Sequence, residues 1–294
     1  MSGLSNLLNF VVSHPLNRGA RLAAILRVIR WQLGSRFLPA GAALPFVQGT
    51  HLFVTRGMTG ATGNWYCGLH ETNDMGLVLH ALRPDELFVD VGANIGSYTI
   101  LAAGAVGADT IAIEPVPATF AALGRNVFLN DLHDRVRCMN IGLGDAAGEL
   151  RFTSAQDTTN HVLAEGEGEA FVTVNVLPLD EVCADRTPLI IKIDVEGYEH
   201  AVIAGGQSTL ASPSLQVVIM ETNGSGLRYG WDDAQLVDTM REFGFTTCSY
   251  DPILRRLESA APSETSNTLF VRDVAAMQER VSQAARFQLV NGDI

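Results

Sequence analysis

Leu87-Phe88-Val89-Asp90-Val91-Gly92-Ala93-Asn94-Ile95-Gly96 is the stretch whose reading decides the fold. Its first five residues are apolar apart from Asp90, and three of them are too bulky or β-branched to favour so short a helix, so they read as a buried strand. Two glycines four apart follow, and then Ser97-Tyr98-Thr99 opens an apolar, Ala-rich run to Val106. Strand, glycine turn and helix start mark the place where an open α/β sheet binds a nucleotide-like ligand, at the carboxyl end of its first strand. Gly92 and Gly96 permit positive φ and a close approach of backbone to ligand. Asp90 needs a partner, because a carboxylate on an apolar strand is costly alone. It would repel a phosphate and welcome a cation, so the expected ligand is cationic rather than a dinucleotide.

Working outward, the pattern alternates. Strand 87–91 is followed by helix 97–106, strand Thr110–Ile113 by helix 117–130, and then comes strand 136–141. Gly148–Phe152 and Ala170–Val176 read as two strands around a polar, Glu- and Gly-rich loop without periodicity, of the length that in a compact domain is functional or disordered. The alternation resumes with strand Leu189–Ile193, a helix from Tyr198, strand Leu215–Met220, helix 233–243, and strands Phe245–Tyr250 and Thr268–Arg272. This gives an α/β sheet of seven strands, mostly parallel, with an antiparallel last strand. Upstream, Phe46–Gly57 and Thr62–Gly68 read as a β-hairpin, and 74–82 as a helix ending before Pro84. Val274–Leu289 reads as a helical tail. The expected organisation is an extension over 1–70, a main domain over 71–273 and a tail over 274–294.

Composition narrows the class. A chain of 294 residues with 47% hydrophobic and 18% charged residues has room for one large α/β domain with additions. Cys67, Cys138, Cys183 and Cys248 form no paired motif, which argues against zinc and a disulfide framework and suits a reducing compartment. With no signal-peptide pattern or membrane-length apolar run, the expected location is the cytoplasm. A net charge of −12 excludes a broad nucleic-acid surface. The charge is uneven: Arg18, Arg21, Arg27, Arg30, Arg36 and Arg56 all precede Glu71, the first acidic residue. Within Ala20–Leu38, residues Leu22, Ile25, Leu26, Ile29 and Leu33 recur at helical spacing. The expected arrangement packs that stripe on the main domain or, in a homo-oligomer, on a partner subunit, with the arginines in solvent. A second reading lays residues 20–38 on an anionic membrane surface, beside a lipid-linked substrate.

Acidic and amide residues recur at strand ends: Asp90, Glu114, Asp145, Asp194 with Glu196, and Glu221 with Asn223. In a parallel sheet these ends share one edge, so the residues converge on one crevice. Glu114 lies 18 residues beyond Gly96, placed to accept the hydroxyls of a ribose or else to cap helix 117–130. V-D-V-G-A-N-I-G-S-Y-T, I-E-P, G-L-G-D and above all I-K-I-D-V-E-G-Y-E resemble the FkbM-type S-adenosylmethionine-dependent methyltransferases from about Glu71 to Asp251. The resemblance implies a class I, Rossmann-like fold. It also implies that Gly92, Asn94, Gly96 and Ser97 form the loop around the methionine moiety, with Asp90 beside it. Glu114 would hold the ribose, Asp145 would lie by the adenine, and Glu71 would approach from the other side. A sulfonium and an ammonium agree with the cationic ligand inferred from Asp90.

Asp194 and Glu196 fall where the methyl would be presented. If the acceptor is a hydroxyl, a base must take its proton; Asp194 is the leading candidate, with Glu196 and His161 in reserve. Asp194 could equally serve only to bind the cofactor's amino group. Asp194, Glu221 and Asn223 permit Mg²⁺ at this edge without requiring it, and no metal site is assigned. The resemblance implies a small-molecule, glycan or glycolipid acceptor. Trp65, Tyr66, Tyr229 and Trp231 lie next to the crevice in sequence, and either two of them stack on a sugar face or they serve core packing and loop anchoring; the segment after Asn223 follows a strand end and is a candidate acceptor loop. Two rival classes are a nicotinamide-dependent oxidoreductase, which Asn94 disfavours by replacing the second glycine of G-x-G-x-x-G, and a non-catalytic scaffold working through its basic helix.

Overall fold

A computed structural model describes residues 2–153, 160–164 and 170–294, so most of the polar loop read between 153 and 170 lies outside the described residues. The chain begins with helices α1 (Ser2–Ser13) and α2 (Arg21–Gly34), then a hairpin of β1 (Ala42–Pro45) and β2 (His51–Val54), then helices α3 (Thr59–Cys67) and α4 (Thr72–Ala81). The hairpin therefore lies earlier than expected, and its supposed second arm, Thr62–Gly68, is helical. α3 is buried on most sides, through Ala61, Thr62, Gly63, Asn64, Tyr66 and Cys67, so it lacks the one-sided stripe by which a helix is recognised.

The strands β3 (Leu87–Val91), β4 (Asp109–Ile113) and β5 (Val136–Met139) follow, separated by α5 (Ser97–Ile100), which continues as a π-helix to Val106, and by α6 (Pro117–Leu129). β6 (Gly142–Leu143), β7 (Gly148–Thr153) and β8 (Phe171–Leu177) leave the main sheet and form a small one of their own, in the order β6-β8-β7. After α7 (Leu179–Val182) the chain returns through β9 (Ile190–Ile193), α8 (Glu199–Ala204), α9 (Gln207–Ala211), β10 (Val217–Glu221), α10 (Asp233–Glu242), β11 (Thr246–Asp251), β12 (Arg256–Ser259), β13 (Asn267–Val271) and α11 (Val274–Ser282).

The main sheet has the order β12-β11-β13-β10-β9-β3-β4-β5. β10, β9, β3, β4 and β5 are mutually parallel, and β13 inserts antiparallel between β10 and β11. The sheet thus has eight strands where seven were expected. The extra edge strand β12 buries only Leu257, too little to show a strand period. The tail also differs: its helix stops at Ser282, and Phe287 turns back into the core and pairs through its backbone with Ile294.

Strand alternation decides what faces where. Leu87, Val89 and Val91, with Ile191, Ile193, Val218 and Met220, pack on one side against α7 to α10. Phe88, Ile190, Val217 and Ile219 pack on the other side with the N-terminal elements, α4 and α11. Asp90, Lys192 and Glu221 continue this second set at period two, and Asp90 and Lys192 are register partners. A carboxylate, an ammonium and a second carboxylate are therefore brought to one face of the sheet's carboxyl edge by periodicity alone.

α2 is inverted relative to expectation. It buries Ala24, Arg27, Val28 and Trp31, while Leu22, Leu26, Ile29 and Leu33 are exposed. Arg27 can be inside because its guanidinium donates to Asn17 Oδ1 at 2.9 Å and to the carbonyl of Tyr66 at 2.8 Å. A buried charge with that many acceptors is satisfied.

Candidate active site

A cleft of about 270 Å³ opens at the carboxyl edge of the sheet. Its floor holds Asp90, Lys192 and Glu221, its walls Glu71, Glu114, Asp194 and Glu196, with Tyr98, Phe152, Asn64 and Asn160 around them. Lys192 was not singled out from the sequence, yet it is the central cation. Its side chain is 4% exposed and Nζ lies 2.6 Å from Asp194 Oδ2 and 4.9 Å from the centre of the Tyr98 ring. Burial alone would lower its proton affinity, but the carboxylates of Asp194, Glu71 and Asp90 outweigh that and hold it firmly protonated. The signal was present: in L-I-I-K-I, a lone lysine breaks a buried strand in register with Asp90.

Asp90 is fully buried, and Thr99 Oγ1 donates to its Oδ2 at 2.6 Å. Burial raises its pKa to about 6 against the opposing pull of Lys192. Tyr98 Oη donates to Glu71 Oε2 at 2.8 Å, which ties the residue ahead of the first motif to the helix that follows it. The G-A-N-I-G loop is held from the next strand. Glu114 accepts the backbone N–H of Asn94 through Oε2 and of Val116 through Oε1, both at 2.9 Å. It does not cap α6, whose N-cap is Val116 with no side-chain bond to the helix; it braces the loop instead, and each carboxylate oxygen keeps another lone pair. Burial pushes Glu114 up to about 7.

Both glycines adopt the positive φ expected of them, and packing adds a second constraint. Gly92 has φ +77, and a Cβ there would stand 1.8 Å from the carbonyl oxygen of Asp194; at Gly96, φ +93, it would stand 2.6 Å from Leu123 Cδ1. Both glycines answer to protein packing before they answer to a ligand.

The D-V-E-G turn after β9 is built in the same way. Gly197, at φ +101, presses on Ser225 in the loop after β10, leaving 2.6 Å for a Cβ. Glu199 Oε1 accepts the backbone N–H groups of Val195 and Gly197 at 3.1 and 3.2 Å, so the last acidic residue of I-D-V-E-G-Y-E fixes the turn. Glu196 occupies the left-handed region at φ +54, an unfavourable place for a non-glycine residue that is tolerated where a site needs it. Asp194, Glu196 and Glu221 each bring an oxygen within 4.8 Å of the others. Burial first, then the neighbouring carboxylates, push Glu196 up to about 7 and Glu221 up to about 9. Asn223 stays outside this trio, its Oδ1 accepting the N–H of Ser225 at 2.9 Å.

Glu71, Asp90, Gly92, Asn94, Ser97, Glu114, Asp194 and Glu196 all line the cleft. Gly96 lies just behind the lining, at the start of α5. Asp145 is exposed on the turn between β6 and β7 and lies outside the lining. His161, the reserve base, is also outside it: it is buried and its backbone pairs with Thr153. His200 is half-buried against Trp231. Tyr229 and Trp231 pack with Tyr198 at ring separations of 5.3 to 5.4 Å, and Tyr229 Oη donates to the carbonyl of Val162 at 2.5 Å. Tyr66 is buried in the core. None of Trp65, Tyr66, Tyr229 and Trp231 lines the cleft, where Tyr98 and Phe152 are the aromatic residues present.

A parallel sheet with an inserted antiparallel strand, covered on both faces and carrying an acidic cleft at its carboxyl edge, is the Rossmann-like class I methyltransferase fold. The model of the methyltransferase FkbM domain matches residues 90–247, more than half of the chain, and the chain belongs to that family of methyltransferases. Among curated relatives, the hexuronic acid methyltransferase AglP of Haloferax volcanii is 29% identical over 148 residues, covering 48% of this chain and 59% of its own. The 31-O-demethyl-FK506 methyltransferase FkbM of Streptomyces tacrolimicus is 29% identical over 215 residues, covering 60% and 79%. Methyltransferase 1 of Beauveria bassiana is 34% identical over 148 residues, covering 42% and 59%. The match thus spans less than two thirds of the length of the first and third of these.

Proposed function

We propose that this chain moves a methyl group from S-adenosylmethionine to a hydroxyl of a sugar, glycolipid or other small molecule, with Glu196 as the base. The observation that carries this reading is the Glu196 carboxylate, held into the cleft on a left-handed residue with a pKa pushed to about 7 by burial and by Asp194. A base titrating near neutrality is suited to take a proton from an attacking hydroxyl. Asp194, the first candidate from the sequence, has Oδ2 engaged by Lys192 at 2.6 Å and is assigned to orienting charge in the cleft.

The donor set fits a cationic cofactor: six carboxylates line the cleft against one lysine, Lys192. When bound, S-adenosylmethionine supplies an electrophilic methyl on a sulfonium. Asp90, Asp194 and Glu71 present negative charge to that cation, and Glu114 retains lone pairs for ribose hydroxyls. The walls align the acceptor and exclude water, the larger part of what a direct displacement needs. By name, two relatives act on a hexuronic acid and on 31-O-demethyl-FK506, which supports an oxygen acceptor. Asp194, Glu196 and Glu221 offer the oxygen donors that Mg²⁺ takes, but their crowding is accounted for by proton handling alone.

Two measurements test the reading. Thermal shift should show stabilisation by S-adenosylhomocysteine and none by NAD; the reverse would favour the oxidoreductase, and no binding of either would favour the scaffold. Release of S-adenosylhomocysteine with a panel of hydroxylated acceptors should survive exhaustive EDTA and be lost in Glu196→Gln; loss on EDTA would transfer the acidic trio to a metal.

A further inference from the structure

The outer face of α2 carries an apolar stripe with nothing on it. Leu22 is 79% exposed and Phe37, just past the helix end, 83%, with Leu26, Ile29, Leu33 and Leu38 exposed between and beside them. At about 100° per residue, positions 22, 26, 29 and 33 fall within roughly 60° of the helix circumference, opposite the buried Ala24, Val28 and Trp31. Arg21 and Arg30 flank the stripe on its two sides, and Arg18 and Arg36 stand at its ends; all four are exposed. Arg18, Arg21 and Arg30 make no ion pair among the described residues. A monomer would not ordinarily leave a stripe of this kind in water.

We propose that this face is a docking surface for an anionic lipid bilayer, on which α2 lies with its leucines in the acyl boundary and its arginines at the headgroups. Charge complementarity selects the occupant. The first 70 residues hold six arginines and no acidic residue, in a chain whose net charge is −12, and four of the six, Arg18, Arg21, Arg30 and Arg36, border the apolar stripe. That combination is what holds an amphipathic helix at a membrane surface. A second copy is a poorer occupant, because a two-fold pairing of this face would set arginines against arginines. No helix among the described residues is long and apolar enough to cross a membrane, so the contact is one of lying on the surface. The inner side of α2 is pinned by Arg27 to the carbonyl of Tyr66 on α3, and α3 supplies Thr59, Ala61 and Asn64 to the cleft wall. The cleft therefore sits one helix behind the docking face, close to an acceptor carried by lipid.

Flotation of the full chain with vesicles tests this. Vesicles of mixed phosphatidylglycerol and phosphatidylcholine should bind it more than about tenfold tighter than phosphatidylcholine alone, given roughly fivefold per arginine near an anionic surface. Leu26→Asp/Ile29→Asp, at two exposed positions, should abolish flotation while leaving Tm and S-adenosylhomocysteine binding unchanged. Arg21→Glu/Arg30→Glu should weaken it by about tenfold or more. Equal binding to neutral vesicles, or a double aspartate variant that floats like the wild type, would overturn the proposal. So would a wild-type chain that ignores vesicles and forms a dimer by light scattering, with the dimer lost in the aspartate variant. Because cofactor binding is read separately, failure here leaves the methyl-transfer reading standing.

Discussion

Replacing Lys192 with methionine keeps the apolar stem and removes the only ammonium lining the cleft. Nζ sits 2.6 Å from Asp194 Oδ2, with the side chain 4% exposed, and removing one partner of such a buried pair costs about 3–5 kcal/mol. For a chain of this size that corresponds to a fall in Tm on the order of 10 °C. The loss should depend on pH, with a sign fixed by Asp90. Burial already raises Asp90 to about 6 in the presence of Lys192, whose charge opposes the rise; without it the value climbs further. A carboxyl whose folded pKa is raised carries no penalty below its unfolded value and an increasing one as pH rises through the folded value. Lys192 itself is raised, so it stays charged throughout this window. The difference between Lys192→Met and wild type should therefore be larger at about pH 8 than near pH ~5. Urea unfolding at both pH values measures it. Lys192→Met/Asp194→Asn should recover at least half of the loss at the higher pH, since it removes the stranded charge as well. A penalty that is the same at both pH values, or absent, would refute the assignment of Lys192 as the cleft's counter-charge.

The remaining predictions concern the cofactor side and the turn. Glu196→Gln should lower kcat by about 10²–10⁴-fold with cofactor affinity nearly unchanged, and wild-type kcat/KM should rise through a limb centred near 7; a flat profile would remove Glu196 from the role of base. A cation entering the cleft should draw protons off Asp90, Glu114 and Glu196, whose values are raised to about 6, 7 and 7. S-adenosylmethionine should accordingly bind tighter as pH rises from about 6 to about 8, with proton release visible by calorimetry in buffers of different ionisation enthalpy. Gly92→Ala should destabilise by about 3 kcal/mol or more, because its Cβ would stand 1.8 Å from a backbone oxygen at φ +77. By contrast Gly124→Ala, inside α6 with nothing within 4 Å, should stabilise by roughly 0.5–1 kcal/mol.

Much of the fold was legible because it rests on local periodicity. Strand 87–91 and helices 117–129 and 233–242 fall where their patterns place them, and the strand ends converge as a parallel sheet requires. What was illegible depended on neighbours distant in sequence. α3 is surrounded on most sides, so no face of it is polar enough to give a period. β12 buries one residue and joins the sheet only because β11 offers a free edge. The site residues Asp145 and His161 were placed by motif and position, and neither lines the cleft, although Phe152 and Asn160 beside them in sequence do. The long-range bond from Tyr229 to Val162, which anchors the aromatic cluster away from the cleft, has no trace in either segment alone.

α2 and Lys192 show the same limit from opposite directions. The period of α2 was read correctly, yet a period only states that two faces differ. Which face turns inward depends on what waits there, and here Asn17 and the carbonyl of Tyr66 wait with acceptors for Arg27. An arginine so satisfied can be buried, its acceptors offsetting much of the desolvation cost. The apolar stripe is left outside. Lys192 was overlooked because a lysine amid apolar residues is ordinarily a surface residue; alternation in I-K-I set beside V-D-V would have paired it with Asp90 across one face. In both cases a buried cation is the residue around which the neighbouring chemistry is organised: Arg27 fixes the helix that presents the stripe, and Lys192 keeps a cleft of six carboxylates from expelling its own charge.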